Sequence, residues 1–182
     1  MSYSYKEFPE DVLSAFETII KAHNLIIKKR EDFYIGLSNQ YVEIKFSFDK
    51  GTLYSELRKI DDDFTFPIIS VFSHLYKIQA DEWFRNVKMI QKNMSYPKYY
   101  LVEYAKLFEN ELASILTGNF SWYSALRAEL EYERKLTAIL LGPQIDYNHP
   151  ISQKFWKGDV TWKQDLAHFI KEHGIELDPN GN

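Results

Sequence analysis

The segment Tyr41–Phe48 constrains the fold more than any other stretch of the sequence. Its apolar residues occupy every second position: Val42, Ile44, Phe46 and Phe48. This alternation predicts a β-strand with one buried and one solvated face. The following Asp49-Lys50-Gly51 predicts a three-residue hairpin loop with a G1 bulge, in which the glycine is left-handed, and Thr52–Leu57 returns as the next strand. We expect the rest of the chain to fold against the apolar face of this hairpin.

The residues before the hairpin predict further strands. Phe33, Ile35 and Leu37 recur with period two, and Leu25–Lys28 is apolar enough at its start to form another strand. Asn39-Gln40 predicts a tight turn into the Tyr41 strand, because asparagine tolerates positive φ. Together these segments predict a meander of three or four antiparallel strands that ends near Arg58.

Helical periodicity dominates on both sides of this meander. Phe8–His23 predicts an amphipathic helix before the sheet. Further helices are predicted after it over Glu82–Asn93, Lys98–Thr117, Ser121–Leu141 and Val160–His173. Phe64–Phe72 is compatible with a helix that begins at Pro67 or with a buried strand. Gly142–Gly158 predicts a surface loop.

These elements define an α+β fold: an N-terminal helix, the antiparallel meander, and a C-terminal bundle of four to five helices. We interpret residues 1–182 as a single domain. Residues 1–60 form its helix and sheet, 61–177 form helices packed on them, and 178–182 form a loose tail. A domain of this size buries roughly 70% of the surface that its unfolded chain exposes.

Composition excludes several classes of function. The chain has no cysteine, so disulfides and thiolate chemistry are excluded. A formal net charge of −4 without a long basic cluster argues against nucleic-acid binding. The sequence begins without a secretory signal and has no apolar run of the ~18 residues that span a bilayer, so we expect a soluble, cytoplasmic protein with no membrane contact. It has no glycine-rich phosphate loop or other cofactor motif, and we expect no cofactor.

Acidic residues supply the candidate binding positions. Asp61, Asp62 and Asp63 form the densest acidic run and, with Glu129, are the candidate contacts to a basic protein partner. A solvated turn is the simpler interpretation of such a run. The polar residues that alternate through the Tyr41 strand indicate an ordinary solvated face.

Two other sets of residues carry alternative hypotheses. Glu111 and Glu133 fall near the apolar seams of two predicted helices, where carboxylates in a pocket would have raised pKa values. Asp165, His168 and Glu172 share one helical face and are weak candidates for metal ligands.

Exposed rings are candidate interface anchors: Tyr3, Tyr5, Trp156 and Trp162. Aromatic residues make up 16% of the chain, so most rings are expected in the core.

An amphipathic helix followed by the Phe33–Asp49 segment resembles the opening of many small bacterial proteins, some of them similar to immunity proteins of polymorphic toxin systems. The resemblance covers about the first third of the chain and consists of patterning. It implies an inhibitor that binds its cognate toxin, often through acidic residues.

Three functions follow from these observations. The first is a non-enzymatic protein-binding protein, immunity-like, with an acidic and aromatic surface. The alternative is a small-molecule-binding or hydrolytic enzyme with a pocket between sheet and helices. The third is a structural module that associates through a helical hairpin, and the sequence does not determine the oligomeric state.

Overall fold

The computed structural model describes residues 5–77, 82, 83, 85, 96–143 and 145–175. Contacts divide the chain into two compact units, residues 1–123 and 124–182, and each is described by itself. The fold class is α+β, as predicted: N-terminal helices, an antiparallel sheet and C-terminal helices. No described helix combines the length and apolar character needed to cross a bilayer.

The first unit contains the whole sheet. Its strands are β1 (Ile26–Glu31), β2 (Tyr34–Ser38), β3 (Val42–Asp49), β4 (Thr52–Lys59) and β5 (Thr65–Pro67), paired antiparallel in that order. Its helices are α1 (Phe8–Ala15), α2 (Glu17–Ala22), α3 (Ile68–Tyr76) and α4 (Lys98–Asn110), with 3₁₀ turns at Tyr5–Glu7 and Ile115–Thr117. The described sheet therefore has five strands, whereas the sequence predicted a meander of three or four.

Strand β3 has the predicted alternation of buried and half-buried residues along Val42–Phe48. The predicted loop after it is wrong in length. Asp49 pairs directly with Thr52, and Lys50 and Gly51 have φ values of 48° and 82°. Two central residues with positive φ make a two-residue type I′ turn, whose twist matches that of the flanking strands better than a bulged loop.

Two details of the preceding strands differ from prediction. Phe33, the first residue of the predicted period-two segment, precedes β2, which begins at Tyr34, and its side chain is exposed. Asn39 does not make its turn by adopting positive φ. Its side-chain Oδ1 accepts hydrogen bonds from the N–H groups of Tyr41 (2.9 Å) and Val42 (3.1 Å), so the side chain organises the turn.

The core of the first unit combines aliphatic side chains with a cluster of aromatic rings on the inner face of the sheet. The predicted N-terminal helix is divided at Phe16 into α1 and α2. The Phe16 ring packs on Phe46 of β3 at 4.9 Å and on Phe108 of α4 at 5.8 Å between centroids. Phe8 of α1 stacks on Phe48 at 5.9 Å. These contacts hold α1 and α4 against the sheet.

Two predicted helices change at their ends. The segment Phe64–Phe72, predicted as either a helix or a strand, contains both: β5 ends at Pro67 and α3 begins at Ile68. The predicted helix Lys98–Thr117 is wrong in length, because α4 ends at Asn110. Asn110 Nδ2 donates to the carbonyl of Lys106 at 3.0 Å, a local bond that competes with helix continuation. Most of the predicted Glu82–Asn93 helix lies outside the described residues.

The second unit is helical where it is described. Its helices are α5 (Tyr123–Leu140), whose first residue belongs to the first unit, α6 (Pro150–Trp156) and α7 (Trp162–Glu172). Helix α6 corrects the prediction of a loop over Gly142–Gly158. Pro150 is the first residue of the helix, a position where the missing N–H costs nothing.

The core of the second unit is mainly aliphatic: Leu136, Leu140, Ile145, Ile151, Trp162, Leu166 and Ile170. Helix α7 ends at Glu172; Gly174 beyond it is left-handed, and the N–H of Ile175 donates to the carbonyl of Ile170 at 3.0 Å.

Candidate functional site

The acidic turn Asp61–Asp63 connects β4 to β5 in the first unit. Asp62 Oδ1 accepts a hydrogen bond from the N–H of Phe64 at 2.8 Å, so this carboxylate stabilises the turn itself. Asp61 has φ of 65°, and both Asp61 and Asp63 are exposed. The turn therefore presents two carboxylates to solvent and uses the third internally.

An ion pair on the outer face of the sheet supports this turn. Arg58 of β4 donates from Nε and Nη2 to Glu43 Oε2 of β3 at 2.9 and 2.6 Å. Arg58 Nη1 also reaches the carbonyl of Asp62 at 3.5 Å. The Glu43 side chain is only 14% exposed, so this face is not the ordinary solvated surface that the sequence indicated. The two residues are direct cross-strand partners, and correct register would have predicted the pair.

Tyr34 covers the centre of the same face. Its hydroxyl lies 3.3 Å from the position of a Cβ added at Gly36, so the phenol occupies space that the glycine leaves open. Lys29 Nζ lies 5.3 Å from the ring centroid, within cation–π distance. Burial, with the nearby Glu43 carboxylate, raises the pKa of Tyr34. The outer face is thus an ordered polar surface of rings and paired charges.

The other candidate acids are separated between the two units. Glu111 is exposed just beyond α4, and its carbonyl accepts a hydrogen bond from Tyr76 Oη at 2.8 Å. Glu133 on α5 pairs with Lys163 on α7, and Glu129 on α5 is exposed. A pocket formed by Glu111 and Glu133 stays a prediction.

The residues considered as metal ligands do not share one centre. Asp165 pairs with Lys154 of α6, whereas His168 Nε2 lies 3.0 Å from Glu172 Oε1 on α7. Within the described ranges no group of three histidine or acidic side chains is placed to hold an ion. These two pairs account for all three candidate ligands.

Two exposed aromatic residues form a contiguous surface on the second unit. Tyr147 and Trp156 are 65% and 55% exposed, and their ring centroids lie 6.0 Å apart. Phe155 contacts the Trp156 ring at 5.0 Å from the side of the core. Trp162, predicted to be exposed, is buried instead, because it packs against Phe155 at 5.2 Å. Tyr3 and the side chain of Tyr5 lie outside the described residues.

We call Tyr147 and Trp156 the aromatic pair. Local hydrogen bonds fix the segment that carries it. Gln153 Nε2 of α6 donates to the carbonyl of Tyr147 at 3.1 Å. Ser152 Oγ donates to the carbonyl of Asp146 at 2.9 Å, and Ile151 N–H donates to the cap residue His149 at 3.3 Å. Helix α6 and the turn before it therefore hold the two rings side by side. The sequence indicated Trp156 but carried no periodic signal for Tyr147.

A cleft of about 390 Å³ lies in the first unit between the end of α2, the β2–β3 turn and the 3₁₀ turn. Its lining residues are Ala22, His23, Asn24, Asn39, Gln40, Tyr41, Leu116 and Thr117. Asn39 Nδ2 donates to the carbonyls of Leu116 (2.9 Å) and His23 (3.2 Å), so its amide joins the cleft's walls. The size is typical of a small-ligand site, whereas the Asn39 amide on its lining already has structural partners.

Comparisons of the chain with protein-family models, with curated proteins and with solved structures gave no significant match.

Proposed function

We propose that this chain is a non-enzymatic protein-binding protein and that the aromatic pair Tyr147–Trp156 is an anchor of its binding surface. The observation that carries the proposal is the exposure of two large rings in mutual contact on an ordered segment. Tryptophan and tyrosine are the residue types most enriched among binding hot spots. An exposed pair of them is therefore best explained by a partner that covers it.

Preorganisation strengthens this interpretation. The bonds from Gln153 to Tyr147 and from Ser152 to Asp146 hold the segment in place before any partner arrives. A surface that is ordered in the free protein loses less conformational entropy on binding. The two rings also have few rotatable bonds, so their burial in an interface costs little side-chain entropy.

The acidic turn is the second element of the proposal. Asp61 and Asp63 are exposed on a backbone that Asp62 and Arg58 hold from within. Exposed charges of this kind accelerate encounter with an oppositely charged partner more than they add to final affinity. A basic partner surface complements them, and the resemblance of the N-terminal third to immunity proteins supports a toxin as that partner.

Binding is favoured over hydrolysis because several candidate acids already have structural partners. Glu133 pairs with Lys163, Asp165 with Lys154, and Glu172 with His168. A general acid or base must reach a substrate proton, and salt-bridged groups at a helix surface are poorly suited to that role. If the chain binds a small molecule instead, the cleft beside Asn39 would be its binding site.

The test uses the wild-type chain and Trp156→Ala as immobilised baits in a native lysate, followed by purification of any captured protein. We expect Trp156→Ala to weaken binding of the purified partner by about thirtyfold, the effect of losing a hot-spot ring. Calorimetric titration measures the change.

Tyr132→Ala is the matched control, because Tyr132 is an exposed ring on α5 of the same unit. It should bind as the wild type does. Equal affinity of the Trp156→Ala and wild-type chains would contradict the aromatic anchor. For the acidic turn, Asp61→Asn with Asp63→Asn should slow association and reduce its dependence on salt.

A further inference from the structure

Strand β1 is one outer strand of the sheet and is exposed along its whole length. The strand order places β1 beside β2 alone, within the described part of the chain. All six residues of Ile26–Glu31 are exposed. An outer strand of this kind presents backbone N–H and C=O groups on its free edge, which is a template for another strand.

The opposite edge of the sheet is protected by its backbone, whereas β1 is protected only by cationic side chains and a register shift, which deter a like-charged strand and not an acidic one. Strand β5 has only three residues, and the last of them is Pro67, which has no N–H to donate. Short length and proline are standard protections against strand addition. Strand β1 is twice as long, contains no proline, and exposes the apolar side chains of Ile26 (57%) and Ile27 (47%).

The charge of β1 limits which strand can pair with it. Lys28, Lys29 and Arg30 follow the two isoleucines, and one carboxylate, Glu31, ends the strand. Lys29 pairs with Glu31 and Arg30 with Glu10, both on exposed surface where such pairs contribute little. The register shifts between Ile27 and Lys29, so Lys28 lies at the irregularity. The strand itself therefore carries a net positive charge beside an edge that pairs with no other strand among the described residues.

We propose that β1 is a docking edge for an acidic, extended segment of a protein partner, which adds to the sheet as a further antiparallel or parallel strand. Main-chain hydrogen bonds supply the affinity in strand addition, and side chains supply the selectivity. Alternating acidic and apolar residues match the lysines and isoleucines of β1. A second copy of this chain is disfavoured, because pairing two β1 strands would oppose their cations. The proposal is independent of the aromatic pair, which lies in the other unit.

The test measures binding of a short blocked peptide of alternating glutamate and valine to the whole chain. Hydrogen exchange resolved by residue should show slower exchange at Ile26–Glu31 when the peptide is bound, because free N–H groups gain acceptors. Lys28→Glu with Lys29→Glu should weaken peptide binding about tenfold or more, since like charges would then face each other.

Matched controls distinguish strand addition from general attraction. Lys157→Glu with Lys171→Glu makes the same change of net charge at two exposed lysines of the second unit and should leave peptide affinity unchanged. A peptide of alternating lysine and valine should not bind. Slowed exchange at β1 supports the proposal. Binding without slowed exchange at β1, equal loss in both double variants, no binding, or a doubled mass of the free chain in light scattering would each overturn it.

Discussion

The cores of the two units differ in how many aromatic residues they contain. The first unit buries them: Phe8, Phe16, Phe46, Phe66 and Phe108 are fully inaccessible. The second unit builds its core mainly from leucine and isoleucine and leaves Tyr147 and Trp156 in solvent. The comparison separates rings that stabilise the fold from rings that are available to a partner. Counting aromatic residues in the sequence does not make this distinction.

Two ion pairs, one from each unit, differ in their exposure to solvent. In the first unit the Glu43 side chain is mostly shielded by its pairing with Arg58 across the outer face of the sheet. In the second unit the pair Glu133–Lys163 is more than a third exposed at both ends. Screening by water weakens the more exposed pair, so equal numbers of ion pairs should contribute unequally to stability.

The largest expected effect comes from replacing one ring in each unit. Phe46→Ala removes a buried ring that contacts Phe16 and Tyr104, and should lower the free energy of unfolding by about 3–5 kcal/mol. Trp156→Ala should lower it by about 1 kcal/mol or less, as expected for an exposed residue. Urea denaturation measures both. Similar losses for the two variants would remove the distinction between core rings and surface rings.

The second prediction compares two turn-organising side chains. Asn39→Ala removes four hydrogen bonds, to Tyr41, Val42, His23 and Leu116, and should cost about 2–4 kcal/mol. His149→Ala removes one cap bond to α6 and should cost about 1 kcal/mol. Thermal and urea unfolding measure the difference. A larger loss for the histidine variant would show that α6 depends on its cap more than the sheet depends on its turn.

The third prediction concerns alkaline pH. Burial raises the pKa of Tyr104 to about 12 from an ordinary value of 10.0, so the folded state favours the neutral phenol. Its stabilisation is complete below pH 10 and is lost as pH rises to 12, a change of about 2–3 kcal/mol. Unfolding measured across this range should show the loss. Tyr104→Phe should reduce it, and an unchanged pH profile for that variant would contradict the assignment.

The smallest effects are expected from the two ion pairs. Arg58→Met leaves the shielded Glu43 carboxylate without its main donor and should cost about 2 kcal/mol. Lys163→Met should cost about 0.2–1 kcal/mol, because its pair with Glu133 is better solvated. High salt should weaken the second pair more than the first. Equal costs would mean that exposure does not separate these charges.

Local sequence pattern predicted the elements whose signal is contained within themselves. Strand β3 alternates as predicted because one of its faces meets the core and the other meets polar partners. Helix α7 likewise lies within the predicted range Val160–His173, and its periodic Leu166 and Ile170 are buried. In both cases side-chain period and backbone geometry agree.

Elements that depend on distant contacts were missed or wrongly bounded. Helix α6 was predicted as a loop. Its seven residues, which begin with a proline, make only about two helical turns, too few to show a helical repeat in the sequence. It is helical where Ile151 joins the core of the second unit and His149 supplies the cap. Strand β5 exists because Leu57 pairs with Phe66, a contact between two chain segments. Short elements gain most of their stability from tertiary packing.

The sequence by itself determined the α+β class, the central hairpin and the acidic turn, because these follow from periodicity and turn chemistry. Only the tertiary structure decided that Trp162 is buried while Trp156 is exposed, although six positions separate two chemically identical side chains. It also revealed that Glu43 and Arg58 meet and that β1 is an outer strand of the sheet in the described part of the chain. Exposure and pairing depend on which segments pack together, and that information is not contained in any one stretch of the chain.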